Sequence, residues 1–493
     1  MANLDNFILN GDGFSLADEY ARSAIRDYNR YNLCDGLNHY NAVFNDITYS
    51  WDNGVCTVTG TSSAVTYNNL FISSNSLPSN IKAGDVLECN ISSNKVHFII
   101  YDYSGGNAVL LTEIYGTNVK RFVKIPNTCT GLIIRLWIAS GQQVNETVKP
   151  VVLNNPLGYI EPVDVASSDE TGKTDMKLVI QSALSACGHC YLGSGVFYVG
   201  SQVNMPEGST IEGCGEATEI RLLSGNSKCA IQMRKYSTVK NLAVIGSYTD
   251  LASSSFSSTA GSRYGIQYYK GGSDTYNTAY CVIDNVHIRN FTAAGIYQYG
   301  TGANVEQGLF VSNVHIKNCW CGIWIYANSE FCRYDNVQIT YCYIACINNG
   351  GNNAFTNCVF HAYSIGMKID GTQNNSAHGM CSNSSFCHIG DNAGSALTLS
   401  DIVHGFIFNA NQFWYNSIDI DDCGGIVFSG CEFGRGTTGS GATINITDGN
   451  TVSFVGCMFQ NDVSYPPVIT VTNNTKVKFN NCFGSVSGNA ITA

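Results

Sequence analysis

The chain of 493 residues is short of charge: Asp, Glu, Lys and Arg make up only 13% of it, about half the usual share. It also lacks basic excess, with 26 Lys and Arg against 37 Asp and Glu and a net charge of −11. Binding to phosphate backbones needs clustered Lys and Arg, so nucleic acid is excluded as the main partner. Proline is scarce, at 8 residues. No stretch of about 18 apolar residues occurs, so no membrane insertion is expected. Met1 to Asn10 has neither a basic region nor a long apolar core, so no signal peptide is expected. No Walker loop, dinucleotide fingerprint or Ser-His-Asp signature is present, and no cofactor is expected.

Glycine (50), tyrosine (28) and cysteine (21) are plentiful instead. Residues of this kind, with Asn, Ser and Thr, suit stacked sheets rather than helices. An odd, large cysteine count in so long a chain does not read as a secreted disulfide framework. Synthesis and folding in a reducing cytosol are expected. Cys187-Gly188-His189-Cys190 has CxxC spacing, but no second CxxC or HxH lies near it to complete a metal site.

The C-terminal two thirds carries a loose repeat. Its copies include Val282-Ile283-Asp284-Asn285-Val286-His287-Ile288, Phe310-Val311-Ser312-Asn313-Val314-His315-Ile316 and Tyr334-Asp335-Asn336-Val337-Gln338-Ile339. Further copies centre on Asn357, Gly430, Gly456 and Asn481, and neighbouring copies fall about 20 to 28 residues apart. Units of this length bury a core only by stacking. Val286 and Ile288 alternate with His287, the period of a strand. Short strands, no helical period and Asn or Gly at the corners predict a parallel β-helix of about twelve tiers. Cys358, Cys431, Cys457 and Cys482 directly follow the anchor and are expected as small buried apolar residues. His287, His315, Gln338, Gln412 and Glu432 share an outward slot, where a polar ladder is ordinary.

Three segments follow from the pattern. Residues 1–35 hold a short helical leader, with apolar positions at 16, 17, 20, 21, 24 and 25 and Ser15 as a cap. Residues 36–155 show short alternating strands, such as Val55–Thr59, Val96–Ile100 and Leu132–Ile138, with turn signals at Asn53-Gly54 and Gly105-Gly106. That pattern predicts an antiparallel β-sandwich. Residues 156–493 hold the β-helix. A helix near 175–187, with Met176, Val179, Ile180, Ala183 and Leu184 on one face and Thr174 as cap, is expected to cover its open end.

The run from Thr171-Gly172-Lys173-Thr174-Asp175 through Gly193-Ser194-Gly195-Val196-Phe197-Tyr198 to Met205-Pro206-Glu207-Gly208 and Glu212-Gly213-Cys214-Gly215 resembles the opening of pectate-lyase-like β-helices in bacteriophage tailspikes. Its first element departs from the family's Gly-Asp-Gly. Asn145-Glu146-Thr147-Val148-Lys149-Pro150 with Tyr159-Ile160-Glu161-Pro162 looks like the close of a carbohydrate-binding-module-like sandwich found in phage tail proteins. The leader resembles a short helix in those proteins. The resemblance implies an all-β fold, a right-handed single-stranded parallel β-helix, a homotrimer and a place in the virion tail. It also implies phage tail or baseplate proteins and host surface polysaccharide as partners. Three functions stay open: a receptor-binding adhesin, a polysaccharide depolymerase of hydrolase or lyase type, and a structural tail component.

Glycan cleavage uses two carboxylates facing one linkage. Aligned repeats give one exposed column of Tyr299, Tyr326, Asp370, Ser400, Asp421 and Thr447. A second reads Tyr297, Trp324, Lys368, Thr398, Asp419 and Asn445. Asp370, Asp401, Asp419 and Asp421 are the candidate catalytic residues, set within about two tiers. Tyr297, Tyr299, Trp324 and Tyr326 are the candidate glycan-binding wall. Against this stands ordinary turn chemistry, which Asp supplies routinely. No metal ligand set is assigned. Asp421-Asp422 and His378-Gly379 are faintly similar to the polygalacturonase pattern, but the order differs and its other elements are missing.

Overall fold

The computed structural model describes residues 32–37, 39–156, 158–162, 173–223, 229–248, 263–270, 278–300, 306–326, 329–373, 377–389, 394–414, 417–434, 442–448, 451–460, 466–473, 476–484 and 486–488. The leader helix expected within 1–35 falls almost wholly outside them. The chain forms two compact units, 1–159 with Leu178–Cys190, and 160–177 with Tyr191–Ala493.

The first unit is a sandwich of two antiparallel sheets. One pairs Ala42–Phe44, Ile47–Asp52, Val55–Thr61 and Gln143–Val148. The other runs Thr66–Ser73, Leu132–Ile138, Val86–Asp102, Val109–Lys124, with Val151–Asn154 alongside Val86–Asp102. Asn53 (φ 49°) and Gly54 (φ 74°) close the hairpin between Ile47–Asp52 and Val55–Thr61, because a tight two-residue turn of this type needs left-handed backbone at both positions. Tyr49, Val58 and Val148 of one sheet share a core with Phe98, Ile134 and Leu136 of the other. The helix forms at Lys177–Cys187 and buries Val179, Ile180, Ala183 and Leu184. At its start, Asp175 Oδ1 accepts from the N–H groups of Lys177 and Gly200, both at 2.9 Å.

The second unit is a parallel β-helix, its strands part of a 32-stranded sheet. Each coil contributes to three parallel ladders. The first ladder passes through Cys229–Met233, Tyr264–Lys270, Ala294–Gly300, Cys321–Ile325, 344–348, 365–370, Ser395–Ser400, Ser417–Asp421 and Thr443–Thr447. The second includes 282–284, 310–312, 333–335, Asn353–Thr356 and Gly379–Ser382. The third includes 286–289, 314–317, 337–340, 359–362 and Ser385–His388.

A single residue turns the second ladder into the third, and it must be left-handed. Asn241, Asn285, Asn313, Asn336, Asn357, Asn383, Ala410, Gly430, Gly456 and Asn481 all lie there, at φ 50–62°. Gly and Asn tolerate that region at least cost. The amides also bond along the axis: Asn336 Nδ2 donates to Asn313 Oδ1 at 2.9 Å, and Asn285 Nδ2 to Asn241 Oδ1 at 3.0 Å. The expected anchors all lie at this corner, and Asn241, Asn383 and Ala410 join them. The next position is interior. Cys431, Cys457 and Cys482 each point the thiol at a carbonyl one tier back, 3.3, 3.3 and 3.4 Å from the oxygens of Phe408, Phe428 and Phe454. Burial pushes the Cys358 thiol up to about 12, as expected of a small buried side chain.

Two phenylalanine columns fill the core. Phe408, Phe428, Phe454 and Phe479 stack at 5.1 Å per step, and Phe386, Phe413, Phe433 and Phe459 at 4.8, 5.2 and 5.0 Å.

Candidate functional site

Strand register decides which of the candidate residues meet. On the first ladder Asp370 pairs with Ser400 and Ser400 with Asp421, so Asp370 and Asp421 stand two tiers, about 10 Å, apart along the axis. Asp401 follows Ser400 at the corner in left-handed backbone, φ 54°, and Asp422 (φ 45°), Asp448 (φ 51°) and Asn473 (φ 57°) repeat that position. The four expected carboxylates are thus grouped, but they are not equivalent. Asp419 is saturated: Ser395 and Ser417 hydroxyls donate to its Oδ2, each at 3.0 Å, and Asn445 Nδ2 to its Oδ1 at 2.8 Å. Asp370 caps its own turn, accepting from Thr372 N–H and Oγ1. Asp401 and Asp421 have no side-chain hydrogen bond or ion pair among the described residues. Desolvation, then the charges of Asp422, Asp370 and Asp421, hold the Asp401 carboxyl above its ordinary value. A carboxyl group shifted upward beside a second carboxyl group is the arrangement on which general acid catalysis draws.

The same corner also brings His378 and His404 together, ring centroids 5.6 Å apart. His378 Nδ1 is buried and makes no hydrogen bond among the described residues. The sequence showed His378 in a faint motif; its pairing with His404 depends on a corner whose length varies from coil to coil.

The aromatic wall stands further off than the aligned repeats predicted. Tyr297 pairs with Trp324, Trp324 with Ile347, and Ile347 with Lys368. The tier of Ile347 and Asn349, absent from the predicted columns, separates Trp324 and Tyr326 from Lys368 and Asp370. Within the wall, Tyr264 and Tyr297 stack at 4.3 Å, Tyr297 meets Trp324 at 5.3 Å and Trp324 meets Trp320 at 6.0 Å. These contacts leave Tyr297 only 8% exposed, while Trp324 and Tyr326 stay half-buried. The side chain of Tyr299 lies outside the described residues.

A second aromatic group, not anticipated from sequence, crosses the sandwich. On the face opposite the core, Tyr67 pairs with Trp137 and Trp137 with His97, and Tyr115 lies beyond His97. The His97 ring stacks on Tyr115 at 4.5 Å, meets Trp137 edge-on at 4.7 Å and contacts Glu113 Oε1 at 2.6 Å. In the adjacent row Asn69 pairs with Arg135. The Arg135 guanidinium lies 4.4 Å from the Tyr67 ring centre. Its Nε, like Asn69 Oδ1, makes no hydrogen bond within the described residues. Alternation in 132–138 already put Arg135 and Trp137 on one face; the row itself needs the register of four strands that are distant in sequence.

Fold and sites together define a parallel β-helix with an antiparallel sandwich, bearing outward aromatic rows and a carboxylate corner. No family model matches the chain, and no curated protein matches it. Among solved structures it is similar to the Dettilon tailspike protein, at 12% identity and a TM-score of 0.46, over 67% of this chain and 68% of that one. It is also similar to the enzymatically active domain of tailspike protein 2 of bacteriophage CBA120, at 13% identity and a TM-score of 0.46, over 83% and 54%. The catalytic domain of a GH87 α-1,3-glucanase in complex with nigerose matches at 12% identity and a TM-score of 0.39, over 90% and 89%.

Proposed function

We propose that the chain is a phage tail receptor-binding protein of the tailspike kind that binds host surface polysaccharide. The observation that carries this is the sandwich row Tyr67–Trp137–His97–Tyr115 beside Arg135, Asn69 and Glu113. Flat rings stack on sugar faces, and fixed donors and acceptors at their edge read hydroxyls. The opening motif of the β-helix, Thr171 to Gly215, supports the tail setting, in which the protein acts as a homotrimer in the virion. A second reading, depolymerase, is favoured by Asp401 beside Asp421.

One experiment tests both. The full chain is applied to an array of bacterial surface polysaccharides, and each polymer it binds is then sized by chromatography after incubation. Binding of at least one polymer, weakened about tenfold or more by Trp137→Ala, is the expected result. No binding to any polymer, or unchanged binding by the variant, overturns the proposal. Shortened chains that stay intact with Asp421→Asn establish cleavage at the corner; chains left intact by the wild type dismiss it.

A further inference from the structure

The third ladder carries charge in an order that the net charge of −11 conceals. Its early tiers are neutralised locally. Glu219 pairs with Arg221 and with Arg289, at 2.6 and 3.1 Å, while His287 Nδ1 lies 2.5 Å from Glu216 Oε1, with burial holding the imidazole below its ordinary value. From the next tier onward the outward side chains change character. His315 and Lys317 are followed by Gln338 and Thr340, then Val359 and His361, then Ser385 and Cys387. Among the described residues of this ladder, no Asp or Glu occupies an outward position on these tiers, and the exposed Asp335 belongs to the adjoining second ladder. Lys317 is exposed and has no carboxylate partner among the described residues; its Nζ lies 5.0 Å from the centre of the Tyr341 ring. Tyr341 meets His361 at 5.9 Å and Tyr363 at 6.4 Å.

Tyr341 breaks a local rule. The residue that ends this ladder's strand is Asn290 (φ 69°), then Asn318 (φ 55°), then Tyr341 (φ 55°). Asn tolerates left-handed backbone, whereas a bulky aromatic there is an outlier costing about 1 kcal/mol more. The register also shifts between Thr340 and Cys342, a bulge of the kind that re-aims a side chain. The result is a tyrosine 40% exposed under an unpaired ammonium. Strain kept where a cheaper residue served the two preceding tiers points to a use outside the fold.

We propose that Lys317, Tyr341 and His361 form a subsite for an anionic glycan, its sugar ring packed on the tyrosines and its oxyanion held by the Lys317 ammonium. The subsite extends the glycan-binding reading above but rests on a different unit and different residues. A uronate carboxylate and a phosphodiester present the same chemistry to it.

The test uses the full chain in affinity gel electrophoresis against polygalacturonate, a glycerol-phosphate teichoic acid and neutral dextran. Tyr341→Asn is the informative variant, because Asn is the residue of the preceding tiers and should raise the melting temperature rather than unfold the coil. Retention by at least one anionic polymer, weakened about tenfold in Tyr341→Asn and in Lys317→Ala, is expected, and dextran is not retained. Which anionic polymer retains the chain separates carboxylate from phosphodiester. Retention by neither anionic polymer overturns the subsite, as does equal retention of the variants. Retention lost with Trp137→Ala but kept with Lys317→Ala also overturns it, while leaving the sandwich proposal standing.

Discussion

Asp401 is the residue at which turn chemistry and catalysis make opposite demands. As a corner residue it needs only to tolerate left-handed backbone, and Asn does that equally well. Its carboxyl is held above the ordinary aspartate value of 3.8 by desolvation and by Asp422, Asp370 and Asp421. A raised carboxylate pKa in the folded state disfavours the charged form there. Its cost to stability is therefore full above the folded-state pKa and absent below 3.8, where both states are protonated. Asp401→Asn should accordingly raise the melting temperature at neutral pH, and the gain should vanish as the pH falls below the ordinary value. A gain that persists in acid, or a loss at neutral pH, would show that the carboxylates do not repel one another. The corner anchors were legible because left-handed backbone restricts composition sharply. Asn285, Asn313 and Gly430 announce themselves, while Ala410 (φ 53°) does not, since alanine carries no such signal. Asp419 misled for a related reason. Its type is that of a catalytic group, and only the register with Ser395 and Asn445 shows its oxygens to be occupied.

At the scale of the coil, stability comes from repetition along the interior columns. Phe428 is fully buried and stacks on Phe408 and Phe454 at 5.1 Å; Phe483 is 61% exposed. Phe428→Ala should cost about 3–5 kcal/mol, and Phe483→Ala within about 0.5 kcal/mol, read as the difference in denaturation midpoint. Equal effects would mean that stacked tiers do not share a core. The repeat read from sequence missed the coils at Asn241, Asn383 and Ala410, the last because alanine takes the anchor position behind an otherwise regular Phe408-Asn409. It also skipped Ile347, because the strand at 344–348 follows the bulge after Thr340 and reads as a continuation of one long apolar run. That one omission placed Trp324 and Tyr326 beside Asp370 when a whole tier lies between them. In the sandwich, the strands were legible from alternation, but the aromatic row was not. Antiparallel register between segments as distant as Tyr67, His97 and Trp137 is set by the shared core and leaves no local trace.

For the whole molecule, the proposed reading distributes polysaccharide binding over several modest sites. The sandwich row and the Lys317–Tyr341 subsite belong to different units, and each offers a handful of rings and donors. Such a site contacts only a few sugars and binds them weakly. A polymer repeats its sugar unit, so a chain held at one site presents its neighbours to another at high effective concentration. Trimer formation would multiply this again. The affinity for polysaccharide should then exceed that for its single repeating oligosaccharide by about a hundredfold or more. Trp137→Ala should remove most of that excess while changing the affinity of the oligosaccharide for the remaining sites little. Calorimetric titration with polymer and oligosaccharide, in wild type and variant, measures both quantities. An oligosaccharide that binds as tightly as the polymer would show that a single deep site does the work, and would move attention to the corner of Asp401, Asp421, His378 and His404.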